Sequence, residues 1–313
     1  MEPQLKVFTG RANQPLAQKI SRHLELPLGD ADMTNFADGE IRIKINENVR
    51  GSDVFVIQST QPPADNLLEL LLIIDALKRA SAERVTAVIP YYGYARQDRK
   101  AEPRVPVSAK LVANLLVRSG ADRILTMELH AEQIQGFFDI PVDHLYSTPI
   151  FIEHFPKGKT QNLVVVAPDP GRANRARGFA RRLGSNIPIA IVDKRRPAPN
   201  QAEAVNVVGE VTGLDALIFD DMIDTASTLV AAASVLAKQG AKSISAVATH
   251  GILSGPAVNR IASSEIKEVI ITDTINLAPK RKNEKIKVLS VSPLLAEAIL
   301  RIHRGESVSS LFV

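Results

Sequence analysis

Cysteine is absent from the chain, which excludes disulfides, thiolate-held metals and a thiol nucleophile. Tryptophan is absent too, and aromatic residues make up only 4%, so aliphatic side chains and alanine must build the core. That composition suits layered α/β packing better than an all-β sandwich. No stretch approaches the roughly 20 uninterrupted apolar residues of a membrane span. The opening MEPQLKVFTG carries neither the basic nor the apolar region of a signal peptide. A soluble, cytoplasmic protein without membrane partners is expected. A large charge excess is missing as well: 38 Lys and Arg face 34 Asp and Glu, a formal +4. Helix-turn-helix, RNP and zinc-finger patterns do not occur, and few aromatics are available for base stacking, so nucleic acid is not the expected partner.

What is there is local charge. Basic residues crowd into RQDRKAEPR (96–104), GRANRARGFARR (171–182) and DKRRP (193–197). Basic runs interrupted by acids suit small polyanions, phosphates held together with a metal. The 313 residues are enough for about two domains. Short apolar runs at 54–58, 85–89, 124–127, 163–167, 189–192, 216–219, 244–248 and 269–272 read as buried parallel strands. Helical patterns lie between them at 66–81, at 108–120 with Ser108 as the cap, and at 225–240. This alternation predicts α/β, doubly wound, mainly parallel sheets, with ligand crevices beyond the carboxyl ends of the strands.

The chain also resembles itself. DVFVIQST with ALKRASAERVTAVIP returns roughly 160 positions later as DALIFDDM with VLAKQGAKSISAVAT, and RILTM is answered by EVIITD. Two duplicated domains are expected, 1–146 with a tail of about 300–313 packing back on it, and 147–299. The halves differ where chemistry would sit: QSTQPP in the first is DDMIDTAST in the second. Only the second is expected to hold a metal-and-phosphate pocket.

Within IFDDMIDTASTL (218–229), three acids, Asp220, Asp221 and Asp224, meet three hydroxyls, Thr225, Ser227 and Thr228, where a strand ends and a helix begins. One acid would be ordinary capping; three exceed what a cap needs. Backbone N–H groups and hydroxyls at such a turn can cradle a phosphate, with the helix dipole adding attraction. Adjacent acids repel unless bound Mg²⁺ or a sugar's vicinal hydroxyls engage them.

This stretch closely resembles the phosphoribosyl-diphosphate motif of the type I phosphoribosyltransferases. Together with NFADGE (35–40), YYGYARQDRK (91–100), ELHAEQIQGFF (128–138), DKRRP (193–197), THGILSGPA (249–257) and GESVSSLF (305–312), in that order, it makes nearly the whole chain similar to the phosphate-activated class of the ribose-phosphate diphosphokinase family. The resemblance implies transfer of the β,γ-diphosphoryl group of ATP to the anomeric hydroxyl of ribose 5-phosphate, with Mg²⁺ as cofactor and AMP as product. It implies Lys194 and Arg196 as catalytic residues on a loop closing over the phosphates, with Arg196 also on ribose 5-phosphate. It gives Arg96 and Gln97 to ATP, together with Phe36, Asp38, Gly39 and Glu40 reaching from a neighbouring subunit, and His130 and Asp169 to the metal. Ribose 5-phosphate falls to Asp220, Asp221, Asp224, Thr225, Ala226, Ser227 and Thr228. Arg50, Ser81, Arg104, Ser307 and Ser309 match positions that bind activating inorganic phosphate or the inhibitor ADP. A homo-oligomer, a hexamer built from dimers, is implied.

Four positions, Ser227, Pro170, Arg172 and Asn48, depart from the family's pattern. Ser227 replaces the glycine of Asp-Thr-small-Gly-Thr; a positive φ there would cost a side chain on the order of 1 kcal/mol. Pro-Asp-x-Gly-Gly is Pro168-Asp169-Pro170-Gly171-Arg172, and Asn48 stands where serine is usual. None removes a charged catalytic group, so activity is expected. Two other readings carry the motif: a catalytically weak regulatory homologue that tunes an active partner, and a transferase that consumes phosphoribosyl diphosphate. The first is disfavoured because Lys194, Arg196 and His130 are all present, the second because it leaves FADGE, ARQD and the paired domains unexplained.

Overall fold

The computed structural model describes residues 3–155, 160, 162–195, 204–281 and 283–312. It divides into two units, Met1–Tyr146 with Thr274–Asn276 and Ser290–Val313, and Ser147–Asp273 with Leu277–Leu289. In the first lie strands β1 (Leu5–Thr9), β2 (Ala31–Asn35), β3 (Ile41–Ile45), β4 (Asp53–Ile57), β5 (Arg84–Ile89), β6 (Arg123–Met127) and β7 (Val142–Leu145). Its helices are α1 (Gln14–Leu24), α2 (Asp65–Arg79) and α3 (Ser108–Ser119). The second holds β8 (Leu163–Ala167), β9 (Ile189–Arg195), β10 (Ala204–Val208), β11 (Asp215–Ile223), β12 (Ser243–Gly251), β13 (Glu268–Thr272) and β14 (Ile286–Leu289). Helices α4 (Thr148–His154), α5 (Ala173–Leu183), α6 (Ser227–Lys238) and α7 (Ala257–Ala262) belong to it, and α8 (Ser292–His303) returns to the first unit.

The sheets carry the duplication in their order. The first runs β1-β4-β5-β6-β7 and the second β10-β9-β8-β11-β12-β13-β14, so β8 and β11 to β14 repeat the first sheet strand for strand. Every pairing in the main sheets is parallel except β10 with β9. These are doubly wound α/β layers. On the second sheet Val164, Val166, Ala216 and Ile218 face one core with Leu229, Ala232, Ala233 and Leu236 of α6. The alternate residues Val165, Ala167, Leu217 and Phe219 face another with Ala176, Phe179 and Ala180 of α5. Both sides of each strand are therefore dry, which is why these strands read as continuous apolar runs. In the first unit α2 turns Leu70, Ile73, Ile74 and Leu77 onto Val54, Val56 and Val85 at helical spacing. Among the described residues no helix is long and apolar enough to cross a membrane.

The chain touches the first unit at Thr274–Asn276 and rejoins it to the end from Ser290, earlier than the position near 300 expected from the sequence. The reason is α8, which packs on α1 and buries Leu295, Ala298, Ile299 and Ile302. The duplicated strands also begin alike. Asp53 and Asp215 open β4 and β11, and each accepts hydrogen bonds from the residue opposite it on the next strand, Arg84 in one unit and Ser243 in the other. Asp53 is buried, takes both its oxygens to Arg84, and meets Nδ1 of His303 at 2.8 Å. The carboxylate raises the pKa of the Arg84 guanidinium through that hydrogen bond. Replacing Asp53 by Ala leaves two basic groups facing an empty buried position. Chemical denaturation of Asp53→Ala should show a loss of about 3 kcal/mol, with the loosening read as faster exchange of α8 amides.

Candidate active site

The acid pair sits within β11, which continues past Phe219 to Ile223. Phe219 stacks on Phe179 of α5, ring centroids 4.5 Å apart, and so anchors the residue before the acids. Asp221 is 3% exposed, and the Asp221 backbone N–H donates to Oδ1 of Asp220 at 2.9 Å. Burial first, and the neighbouring Asp221 charge second, push the Asp220 pKa well above the usual carboxylate range. The counter-charges come from the segment after β8. Arg172 places Nη2 2.8 Å from Asp221 Oδ1 and Nε 3.6 Å from Asp220 Oδ1. Arg175 is buried enough that its own pKa is lowered, against the opposing pull of Asp221 and Asp220.

The turn after β11 is held by the segment read in the sequence as THGILSGPA and by α7, which follows it. Ser254 hydrogen-bonds the Asp224 carboxylate, its backbone N–H donates to Asp224 O at 3.0 Å, and Arg260 donates to Thr225 O at 2.9 Å. Asp224 is thereby occupied and does not cap α6; the helix start has no side-chain cap at all. Thr225 and Ser227 hydroxyls lie 3.0 Å apart beside it. The left-handed residue in this turn is Ala226, with φ 59°, and not Ser227. Ser227 is the first residue of α6, so the expectation of strain at that position is corrected: the conformational cost belongs to its neighbour.

Asp169 follows β8 and accepts the Arg172 N–H on Oδ1 at 3.2 Å, fixing the 3-10 turn Pro170–Arg172. In the first unit His130 is half-buried just beyond β6, after Glu128, whose φ is 49°. Among the described residues no group of three or more His, Cys, Asp or Glu could cage a metal unaided. His130 belongs to the first unit and Asp169 to the second, and each is of a donor type that can join water and phosphate oxygens around a divalent ion. Lys194 lies on β9 opposite Val205, with only its backbone described, and Arg196 lies outside the described residues.

Phe36 to Glu40 form the tip of the β2–β3 hairpin. Gly39 at φ 99° lets its N–H return to Phe36 O, Asp38 accepts from the Glu40 N–H, and Phe36 stands 53% exposed. Arg96 and Gln97 sit on an exposed turn after β5. Gly93 makes that turn possible, because a Cβ there would come 2.1 Å from Thr60 O. Ser108 does not cap α3; its hydroxyl donates to Gln97 Oε1 at 2.5 Å and Ala109 N–H to Gln97 O, so the helix start positions Gln97 instead.

Of the five anion-site positions, Arg50 and Ser81 adjoin through the Gly51 N–H donating to Ser81 O, and both Ser81 and Arg104 hold positive φ, 66° and 65°. Ser307 and Ser309 line a cavity of about 280 Å³ with Arg84, Arg123 and Asp143, whose lining does not include Arg50, Ser81 or Arg104. The sequence reading missed the Arg172, Arg175, Ser254 and Arg260 contacts, since each depends on which strand lies beside β11.

Two family models match stretches of this chain. The model of the N-terminal domain of ribose phosphate pyrophosphokinase matches residues 5–120, and that of the phosphoribosyl synthetase-associated domain matches 193–313. A ribose-phosphate pyrophosphokinase of Caldanaerobacter subterraneus subsp. tengcongensis is 58% identical over 310 residues, 98% of each chain. Another, of Chlorobaculum tepidum, is 56% identical across 100% of this chain and 96% of its own. The crystal structure of phosphoribosylpyrophosphate synthetase from Mycobacterium smegmatis is similar at a TM-score of 0.92 and 42% identity, covering 96% of this chain and 99% of that one.

Two stability measurements test the local physics. Because the native state holds the Asp220 proton more tightly than the unfolded chain, ionised Asp220 costs stability as pH rises from the ordinary carboxylate pKa toward the raised one. Asp220→Asn should raise the thermal midpoint by a few degrees at neutral pH and flatten that slope. Ala226→Gly should stabilise by roughly 0.5–1 kcal/mol by relieving the left-handed backbone, whereas Ser227→Gly, at the first position of α6 where no strain is relieved, should bring no such gain.

Proposed function

The chain belongs to the ribose-phosphate pyrophosphokinase family, and from that premise we propose how its residues carry the reaction. The protein is a ribose-phosphate diphosphokinase, transferring the β,γ-diphosphoryl group of ATP to the C1 hydroxyl of ribose 5-phosphate. The C1 oxygen attacks the β-phosphorus, the bond to the α,β-bridging oxygen breaks, AMP departs, and the hydroxyl proton is released. Such a transfer asks chiefly for positioning and for cations facing the charge that develops.

One observation supports the sugar site above all: two carboxylates near the carboxyl end of β11 are followed, after the turn at 224–226, by a helix start that no side chain caps. Sugar hydroxyls donate to carboxylates, while phosphate accepts from N–H and O–H groups. Asp220 and Asp221 are accordingly assigned to the ribose hydroxyls, and the 5-phosphate to the backbone and hydroxyls of 224–228 at the positive end of α6. Asp224 supports the cradle through Ser254.

Lys194 and Arg196 act as a point charge and a planar fork on the moving phosphates. Arg96 and Gln97, with Phe36, Asp38, Gly39 and Glu40 of a neighbouring subunit, take ATP; the exposed Phe36 at a hairpin tip supports this crossing. His130 and Asp169 would hold Mg²⁺, which when bound neutralises phosphate charge. Assembly as a hexamer, a cytoplasmic location in keeping with the absent cysteines, and control by inorganic phosphate and ADP through Arg50, Ser81, Arg104, Ser307 and Ser309 complete the reading.

Incubated with ATP, ribose 5-phosphate and Mg²⁺, the purified protein should form AMP only when the sugar phosphate is present. A chain giving no sugar-dependent AMP, with or without added phosphate, is instead the regulatory homologue. Lys194→Ala should slow turnover by about a hundredfold or more with an unchanged thermal midpoint. Full activity in that variant would place the catalytic cation elsewhere.

A further inference from the structure

We propose that Arg172 is a tethered counter-cation competing with the sugar for the Asp220–Asp221 pair, and so a specificity-determining residue of this chain. The inference rests on the ribose 5-phosphate reading of that pair.

The placement of Arg172 is rigid at its base and extended at its tip. Pro170 fixes one backbone angle, Asp169 holds the Arg172 N–H from both its side chain and its carbonyl, and α5 begins at the next residue. The turn follows β8, which pairs in parallel with β11, so the side chain crosses from one strand end to its neighbour. There it is 14% exposed against an Asp221 side chain that is 2% exposed. A glycine at this position, as in the family's Pro-Asp-x-Gly-Gly pattern, would leave Arg175 as the cation from this segment. Arg175 is half-buried and feels the charge of both acids. Arg172 is thus an addition to a site that has a resident counter-charge.

A guanidinium offers N–H donors to a carboxylate, and a vicinal diol offers O–H donors to the same oxygens. Asp221 Oδ1 cannot satisfy both along one lone-pair direction. The sugar must displace the short contact to Asp221 and the longer ion pair at 3.6 Å to Asp220, and two hydroxyls can replace both. A sugar lacking one hydroxyl recovers only part of them. Arg172 therefore weakens binding of the sugar phosphate while making the site demand both hydroxyls. A guanidinium placed to grip the 5-phosphate would do the opposite, since its removal would weaken every sugar phosphate alike.

The test is titration calorimetry of ribose 5-phosphate and 2-deoxyribose 5-phosphate into the full chain, without ATP or Mg²⁺, for wild type, Arg172→Gly, Arg172→Ala and Arg172→Lys. Arg172→Gly and Arg172→Ala should bind ribose 5-phosphate roughly five- to thirtyfold more tightly, the scale of one broken charged hydrogen bond. The deoxy sugar should gain less, and Arg172→Lys should lie between. In turnover, KM for ribose 5-phosphate should fall with kcat within about twofold. Unchanged or weaker binding in Arg172→Gly and Arg172→Ala, or equal gains for both sugars, would overturn this inference alone. A wild-type chain that binds neither sugar phosphate would overturn the functional reading beneath it.

Discussion

Two adjacent carboxylates at the end of a buried strand are the constraint around which the second unit is arranged. With Asp221 buried and Asp220 only partly exposed, both cannot easily stay charged without nearby cations, and burial together with the Asp221 charge raises the Asp220 pKa. The remedy is built from the adjacent strand: β8 pairs with β11, and the segment leaving β8 carries Arg172 and Arg175 to the acids. Stacking of Phe219 on Phe179 ties the same helix to the same strand one residue earlier. Charge compensation and packing thus use one connection, and the site is stiff because α5 cannot move without disturbing both.

The first unit shows what the same strand end becomes without that demand. Gln58 stands where Asp220 stands in the repeat. Its amide oxygen accepts from the Ala12 N–H, and its nitrogen donates to Asn66 O and to Glu69, which in turn pairs with Arg11. Every polar atom is met from within the unit. A neutral amide with fixed internal partners is a structural solution, since a ligand would have to break bonds the fold has already made. Carboxylates balanced by guanidinium side chains are a different solution, because side-chain cations can be exchanged for a ligand's donors.

The central strands were legible because burial on both faces leaves unbroken apolar runs such as VFVIQ and ALIF. The β2–β3 hairpin was not, since it reads as alternating residues, partly packed and partly exposed, around a motif that invites a functional reading. The edge strands β7 and β14 are only four residues long. The motif at 220–228 announced itself by composition, but its geometry did not. No pattern distinguishes a positive φ at Ala226 from one at Ser227, and Ser108 looks like a cap until Gln97 is known to face it. Arg172 was visible as a departure, while its pairing with Asp221 required knowing which strand lies beside β11.

The duplication also bears on how one chain can serve two sites. Between its first and fourth strands the first unit inserts the β2–β3 hairpin, and at the same point in the second unit stands β9–β10. Their connections carry FADGE and the Arg196–Pro197 end of DKRRP, so both candidate phosphate-facing loops arise at one position of the repeat. They differ in attachment. β2 and β3 form a separate two-stranded sheet, whereas β9 hydrogen-bonds to β8 and extends the main sheet. The β2–β3 hairpin outside its own sheet has an exposed tip, with Phe36 on it, suited to another subunit, whereas the strand carrying Lys194 is part of the main sheet. That difference in attachment supports the proposed split, with nucleotide contacts lent across a subunit boundary and Lys194 kept on the chain's own sheet.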